Sequence, residues 1–477
     1  MNKIRVLVVI LLLASAAFTN LFADAYYVSP KGSDTNPGTE EKPFRTIQVG
    51  VNALTPGSTL YIKAGTYREK ITIKTGGAPG KFVTIRPYKG AQPVLDGKNV
   101  PGEASIYMHD KSYVKIIGLK IMNNSAASPL MIPKGIFIDG CGTSIYLVGN
   151  AITKINSAKA DESNAFGIAV FGTEPDEPIS DFVIDSNYIS NCTLGRGGAI
   201  VLNGNVENFR ITDNTVKGHD NTGISFRGFR GTCPEPDFDQ ARAGPCRSNS
   251  VSNIDSFPNP VFKGKRVAAG IHVDGARDIN IEKNRVFNCN YGIAAGCWAP
   301  DKTATGVKVK NNFIFYCHVS GISLGGPSRD PVNAKGAKSA AGCAFLNNTL
   351  FNNGVLNTAE DQYGTVSLQW ASSCTFRNNI FYVCDSIRKS KNPGVSNDEN
   401  NSFKDIDFDE NVWYYKGGQK FLYFTVNGSD ITGFSKWQSL GFDTNSSFIN
   451  PEFKDSVNFP PTLRLRKTSK VKNAGVE

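Results

Sequence analysis

"GIHVDGARDINIEKN", residues 270 to 284, holds two short strand-like runs joined by a few turn residues. In the first run Ile271 and Val273 alternate with His272 and Asp274. A period of two sends alternate side chains to opposite faces, so the isoleucine and valine belong to a core while His272 and Asp274 look outward. The same six-residue unit recurs as "GIFIDG" (135), "GIAVFG" (167), "AIVLNG" (199), "GISFRG" (223), "GIAAGC" (292), "GISLGG" (321) and, loosely, "TVSLQW" (365).

The second run, "INIEKN", ends on Asn284 with apolar residues five and three places before it. Equivalent runs end on Asn150, Asn187, Asn214, Asn312, Asn348, Asn379 and Asn411. With Asn249 counted as a degenerate copy, successive spacings are 37, 27, 35, 35, 28, 36, 31 and 32 residues. One copy of the first unit falls in each interval up to Asn379, so each interval is one coil of a stacked solenoid. Short strands at this period predict an all-β parallel β-helix of roughly a dozen coils. The asparagines are read as structural: the residue tolerates a left-handed turn, and its amide can bond to the same amide about 4.8 Å away on the next coil.

Upstream, "STLYIKAGTY", "KFVTIRPY" and "YVKIIGL" read as the first coils, with a short helix over residues 46–54 covering the open end of the core. An uncovered strand edge would template aggregation, so such a cap is required. Residues 26–134 therefore form the cap and first coils, 135–384 the regular coils, and 385–477 a last coil with a closing segment, all in one domain.

The first 25 residues have a basic start (Lys3, Arg5), an apolar run of about a dozen residues and Ala23-Asp24-Ala25 as a cleavage site, which describes a signal peptide. The expectation is a secreted or periplasmic monomer that does not insert in a membrane. The whole chain carries a formal charge of +10, and losing Lys3, Arg5 and Asp24 leaves +9. Such a balance suits an acidic partner. Export and the scattered basic residues argue against nucleic acid, which leaves an acidic polysaccharide.

The opening "YYVSPKGSDTNPGTEEKPFRTIQVGVNAL", followed by "STLYIKAGTYRE", resembles the start of secreted right-handed parallel β-helix proteins of the pectate-lyase-like superfamily. "GFDTNSSFINPEF" and "LRLRKTSKVKNAG" resemble their usual ending. That superfamily includes polysaccharide lyases, glycoside hydrolases, epimerases and proteins with no known reaction, so the resemblance implies the fold and leaves the activity open. The chain lacks the clustered aspartates of several lyases, the Asp pair with Gly-His-Gly of polygalacturonase-like hydrolases and the Asp-Pro-His segment of alginate epimerases. No catalytic residue carries over by motif.

Ten cysteines are present. Cys192, Cys289, Cys317 and Cys384 each follow a ladder asparagine by five residues, and Cys343 and Cys374 each precede one by five. Repeated placement at one inward position reads as small apolar filler. Cys233 and Cys246 bracket the loop "CPEPDFDQARAGPC" and form the disulfide candidate, unless Cys246 lies in the degenerate coil.

Stacking the six-residue units puts Asn203, Arg227, His272 and Asp274 together on the outward face of the middle coils. Long loops at 172–181, 229–246 and 326–342 would wall this face, and an insertion at 254–269 brings Lys263, Lys265 and Arg266 from the other side. Gln369, in an outward slot, and Trp298 and Trp370, at the unit ends, are further substrate-binding candidates, the tryptophans as platforms for sugar rings. On a uronate polymer, β-elimination needs the carboxylate neutralised and a base for the neighbouring proton. Arg227, His272 or an insertion lysine supplies these parts, with Asp274 as a calcium ligand. Hydrolysis instead needs two carboxyls about 5 to 9.5 Å apart. Asp139 lies four coils from Asp274, roughly 19 Å at 4.8 Å per coil, so a loop acid such as Asp220, Asp237 or Asp239 would have to complete a hydrolase. A non-catalytic glycan-binding protein is the third reading, in which Arg227 and Asp274 are simply a salt bridge between coils. His219 falls in the slot that cysteines fill elsewhere and reads as core, while His109 and His318 sit at coil edges without defined partners.

Overall fold

The computed structural model describes residues 24–325, 339–356, 363–384, 392–397, 403–471 and 474–475. Of the expected signal peptide, residues 1–23 lie outside the described residues. Among the described residues the strands form parallel sheets of 18, 13 and 11 members and one antiparallel pair, Tyr423–Val426 with Ser429–Thr432. We call the three the ladder sheet, the back sheet and the front sheet, in the order in which the chain visits them within a coil. One coil runs from Val183–Asp185 in the ladder sheet, past Asn187, to Tyr188–Ser190 in the back sheet and Gly198–Gly204 in the front sheet. The next coil then lays Arg210–Thr212 on Val183–Asp185 in parallel register. The chain is thus an all-β parallel β-helix with very little helix, as the repeats predict.

Ile168, Ile200, Ile224, Ile271, Ile293 and Ile322 stack in one inward row of the front sheet, each fully buried. The ladder asparagines stack in the same way. Asn249 donates its backbone N–H and its Nδ2 to Asn284 Oδ1 at 2.8 and 3.0 Å, and its own Oδ1 accepts the same pair from Asn214 at 2.9 and 3.0 Å. The pattern runs unbroken from Asn150 to Asn411. It ends on the buried carboxylate of Asp443, which accepts from Asn411 Nδ2 at 2.9 Å and from the indoles of Trp413 and Trp437 at 3.0 and 2.7 Å. In one respect the expectation is corrected. The left-handed residue is the one before each asparagine, such as Ser186, Asp213, Ser248 and Lys283, so the asparagine is there for its amide and not for its backbone freedom.

The N-terminal helix spans Ile47–Asn52, with Thr46 capping Val49 N–H at 3.4 Å and Glu69 accepting the N–H groups of Ile47 and Gln48 at 2.8 and 2.9 Å. Gly50 lets it rest on the open core: a Cβ there would lie 2.6 Å from Leu60 and 2.7 Å from Val28. At the other end the antiparallel pair and the helix Phe434–Ser439 close the core, with Trp437 stacked 4.4 Å from Phe424. The last residues then turn onto the outer face of the back sheet, where Phe453, Leu463 and Val471 pack against Phe315, Phe351, Ile380 and Val412. Among the described residues no helix is long and apolar enough to cross a membrane.

All ten cysteines are free. The proposed Cys233–Cys246 disulfide is therefore not formed: Cys246 lies in the strand Ala241–Arg247, fully buried between Ile211 and Ile281, while Cys233 stays in the loop. The degenerate coil claims its second cysteine as core filler. Asp407, in the outward row of the ladder sheet, pairs with Arg377 at 2.8 Å.

The ladder yields a stability test. Replacing Asn249 by alanine leaves the Asn214 amide, the carbonyl of Ile211 and Asn284 Oδ1 short of partners in a dry interior. A loss of about 3 kcal/mol is expected, read as a lowered denaturant midpoint by circular dichroism.

Candidate functional site

Four adjacent front-sheet strands carry the polar window: β1 (Gly198–Gly204), β2 (Ile224–Arg227), β3 (Ala269–Asp274) and β4 (Tyr291–Gly296). Their register is the one expected from the repeats. Ser225 lies beside His272 and His272 beside Ala294, while Arg227 lies beside Asp274 and Asp274 beside Gly296. Neighbours in such a row are about 4.8 Å apart, which brings Arg227, His272 and Asp274 into one patch.

Within this patch the expected Arg227–Asp274 salt bridge does not form. Asp274, only 3% exposed, pairs instead with Arg230 from the loop after β2, and its other oxygen accepts the backbone N–H of Trp298 at 3.0 Å. Arg227 turns the opposite way. Its Nε donates to Ser225 Oγ at 3.3 Å, and Nη2 donates to the carbonyls of Gly197 and Arg196 at 3.2 and 3.5 Å. Nη1 has no partner among the described residues. Burial lowers the guanidinium to about 10, against the pull of Asp274 and with the push of Arg230. Burial also lowers His272; Asp274 opposes this, while Arg227 and Arg230 add to it. A histidine held below its ordinary value is neutral at pH 7, and among the described residues its ring makes no hydrogen bond.

The loop entering the front sheet is built to hold Arg227. Asn221 Nδ2 donates to the carbonyls of Gly195 and Gly197 at 2.9 and 3.0 Å, and Asn259 Nδ2 to those of Gly195 and Asp220 at 3.0 and 3.1 Å. Asp220, raised to about 6 by burial, accepts Leu194 N–H at 2.5 Å. Asn259 belongs to the insertion, whose Lys263 and Lys265 are exposed. Arg266 is less available: it lies 3.6 Å from Asp255 and stacks on Phe257.

On the exit side, Asp239 accepts the N–H groups of Gly231, Thr232 and Cys233 at 2.7, 3.2 and 3.1 Å, which shapes the loop that carries Arg230. Asn203, at the end of β1, donates Nδ2 to Thr232 Oγ1 at 2.6 Å. Trp298 is 51% exposed beside Asp274 and can serve as a platform, and Gln369 is half-buried. Trp370 cannot be a platform, because it is only 6% exposed. Of the expected exit loop at 326–342, residues 326–338 lie outside the described residues.

Other assignments also change. Asp274 does not suit calcium, since both its oxygens already have donors and its neighbours are two arginines and a histidine. Among the described residues no group of three or more acidic, histidine or cysteine side chains could hold a metal. His109 has partners after all, lying 2.8 Å from Asp139 and 3.0 Å from Asp110. His318 bridges Asn290 and Asn288 at 3.1 and 2.9 Å. His219 is in the core, as expected, and burial lowers it to about 4. Arg230 and Asn259 escaped the sequence reading because both sit on loops, where no repeat sets a register.

The charge balance around His272 can be measured. With four histidines in the chain, NMR titration should find its imidazole below the ordinary value. Arg227→Gln should raise it and Asp274→Asn should lower it further, because the first removes a repelling cation and the second a stabilising anion.

Residues 26–193 match the family described as Pel9A-like, right handed beta helix region. The chain is 31% identical over 446 residues to "Uncharacterized protein YwoF" of Bacillus subtilis, covering 92% of this chain and 91% of that one. It is 34% identical over 125 residues to "Pectate lyase PEL9" of Emericella nidulans, which is 23% of this chain and 30% of the relative, so this match spans less than a third of that protein. Among solved structures, the lacto-N-biosidase GH136 of Eubacterium ramulus superposes with a TM-score of 0.48 at 14% identity, over 82% of this chain and 64% of that one. Taken with the stacked coils, the near full-length match to YwoF and the Pel9A-like region show that the chain belongs to the pectate-lyase-like right-handed parallel β-helix proteins.

Proposed function

We propose that the protein is an exported, carbohydrate-active β-helix enzyme, a polysaccharide lyase that cleaves a uronate-containing glycan by β-elimination. The observation that carries this reading is a cation that pairs with no carboxylate among the described residues, set beside a base whose ring makes no hydrogen bond there. Arg227 has no carboxylate partner and keeps Nη1 open, and His272 is held neutral beside it without a hydrogen bond. A uronate carboxylate seated on Arg227 acidifies the carbon next to it, because the guanidinium stabilises charge that moves into the carboxylate as the proton leaves. Neutral His272 takes that proton, the electron pair of the broken C–H bond becomes a double bond to the adjacent carbon, and the glycosidic oxygen on that adjacent carbon departs and takes a proton from water. The exposed Lys263 and Lys265 and the charge of +10 favour a polyanion. Relatives that carry the name pectate lyase lend further support.

Hydrolysis is less well supplied. Asp274 is tied to Arg230, Asp220 holds Leu194 and Asp239 holds its own loop. With a guanidinium neutralising the substrate, the reaction is also expected to proceed without added calcium.

The test is incubation with pectate, alginate and a neutral glucan, with and without a chelator. Unsaturated ends absorbing in the ultraviolet should appear from an acidic polymer and survive chelation. Arg227→Ala and His272→Ala should each lower kcat on the order of 100-fold or more. The acid limb of the pH–rate profile should lie below the ordinary histidine value, since His272 stays neutral there. New reducing ends without ultraviolet absorbance would refute the lyase in favour of a hydrolase, and binding without any product would leave a lectin-like protein.

A further inference from the structure

The carboxylate of Asp274 ties together two exposed groups that the elimination itself does not use. One oxygen pairs with Arg230 Nη2, and the other accepts the backbone N–H of Trp298 at 3.0 Å. Arg230 comes from the loop after β2 and Trp298 from the loop after β4, so one side chain at the end of β3 holds both loops at the exit edge of the front sheet. The same loops meet again where Lys302 Nζ lies 5.0 Å from the centre of the Phe229 ring. Asp274 is buried, but what it holds is open: the Arg230 side chain is 41% exposed and Trp298 is 51% exposed. Among the described residues, Nε and Nη1 of Arg230 have no acceptor, and no ring or cation lies over the Trp298 indole.

A guanidinium suits a carboxylate, and an indole suits the apolar C–H face of a sugar ring. Held side by side, the two match a sugar that carries a carboxylate. With Arg227 on the neighbouring strand, the patch holds two guanidinia against one carboxylate. His272 precedes Asp274 by two residues on β3, a step of about 6.6 Å and comparable with one ring of a polysaccharide. We infer that Arg230 and Trp298 form a second sugar subsite at the exit edge, which takes the uronate next to the one attacked at His272, its carboxylate on Arg230 and its ring on Trp298. Asp274 is then a positioning residue, which fixes both groups without touching the sugar. The inference rests on the uronate reading of the window and adds that the neighbouring sugar is acidic as well.

Fluorescence tests it, because Trp298 is the exposed one of the four tryptophans: Trp370 is 6% exposed, and Trp413 and Trp437 are fully buried. Quenching by acrylamide therefore reports on Trp298. The full chain with His272→Ala keeps the probes intact, and galacturonate, mannuronate and glucose tetramers are each added while calorimetry measures binding. A uronate tetramer should lower the quenching constant about twofold, since a stacked sugar covers one face of the indole, and the glucose tetramer should leave it unchanged. Arg230→Gln, which drops the charge and keeps a donor for Asp274, should remove the protection. The comparison between tetramers in the chain with Arg230 stands even if the glutamine variant folds poorly. A uronate tetramer that binds, loses its binding in Arg227→Ala and yet leaves quenching unchanged would overturn the exit subsite and leave the uronate reading intact. Equal protection by the glucose tetramer would overturn the subsite too, since Arg230 would then select no carboxylate. Failure of both uronates to bind, or affinity unchanged by Arg227→Ala, would overturn the uronate reading and this inference with it.

Discussion

Every feature of the molecule depends on one repeated contact: the amide of one asparagine lying against the amide of the next, coil after coil. Each ladder residue satisfies the backbone N–H and the side chain of its neighbour, and the row ends on a buried aspartate clasped by two indoles. Because the amides stack without an offset, the strands after them stack in register too. A slip of one residue would send every isoleucine of the inward row to solvent and every outward side chain into the core.

That register makes chemistry possible on an otherwise regular surface. Stacked outward slots set side chains from successive coils a fixed short distance apart, so Arg227, His272 and Asp274 meet although they come from two coils. The loops then give each its role. Arg230 pairs with Asp274, the carbonyls of the entering loop draw Arg227 aside, and burial lowers His272, with the two arginines adding to it against Asp274. A fold that serves several carbohydrate chemistries differs from one to another in these loops more than in its strands.

The sequence alone determined the coil length, the inward and outward rows, the pairing of Ser225 with His272 and of Arg227 with Asp274, and the core role of most cysteines. These follow from period-two alternation and from a repeat that every coil must obey. Folding in three dimensions settles the points on which the repeat is silent: that Asp274 answers to Arg230, that Trp370 is covered while Trp298 is open, that Cys246 belongs to the core, and that Asn203 keeps an unfilled oxygen. The physical reason is that strand positions are set by neighbours of known register, whereas a loop side chain finds its partner by reach and burial, and neither is written in its spacing along the chain.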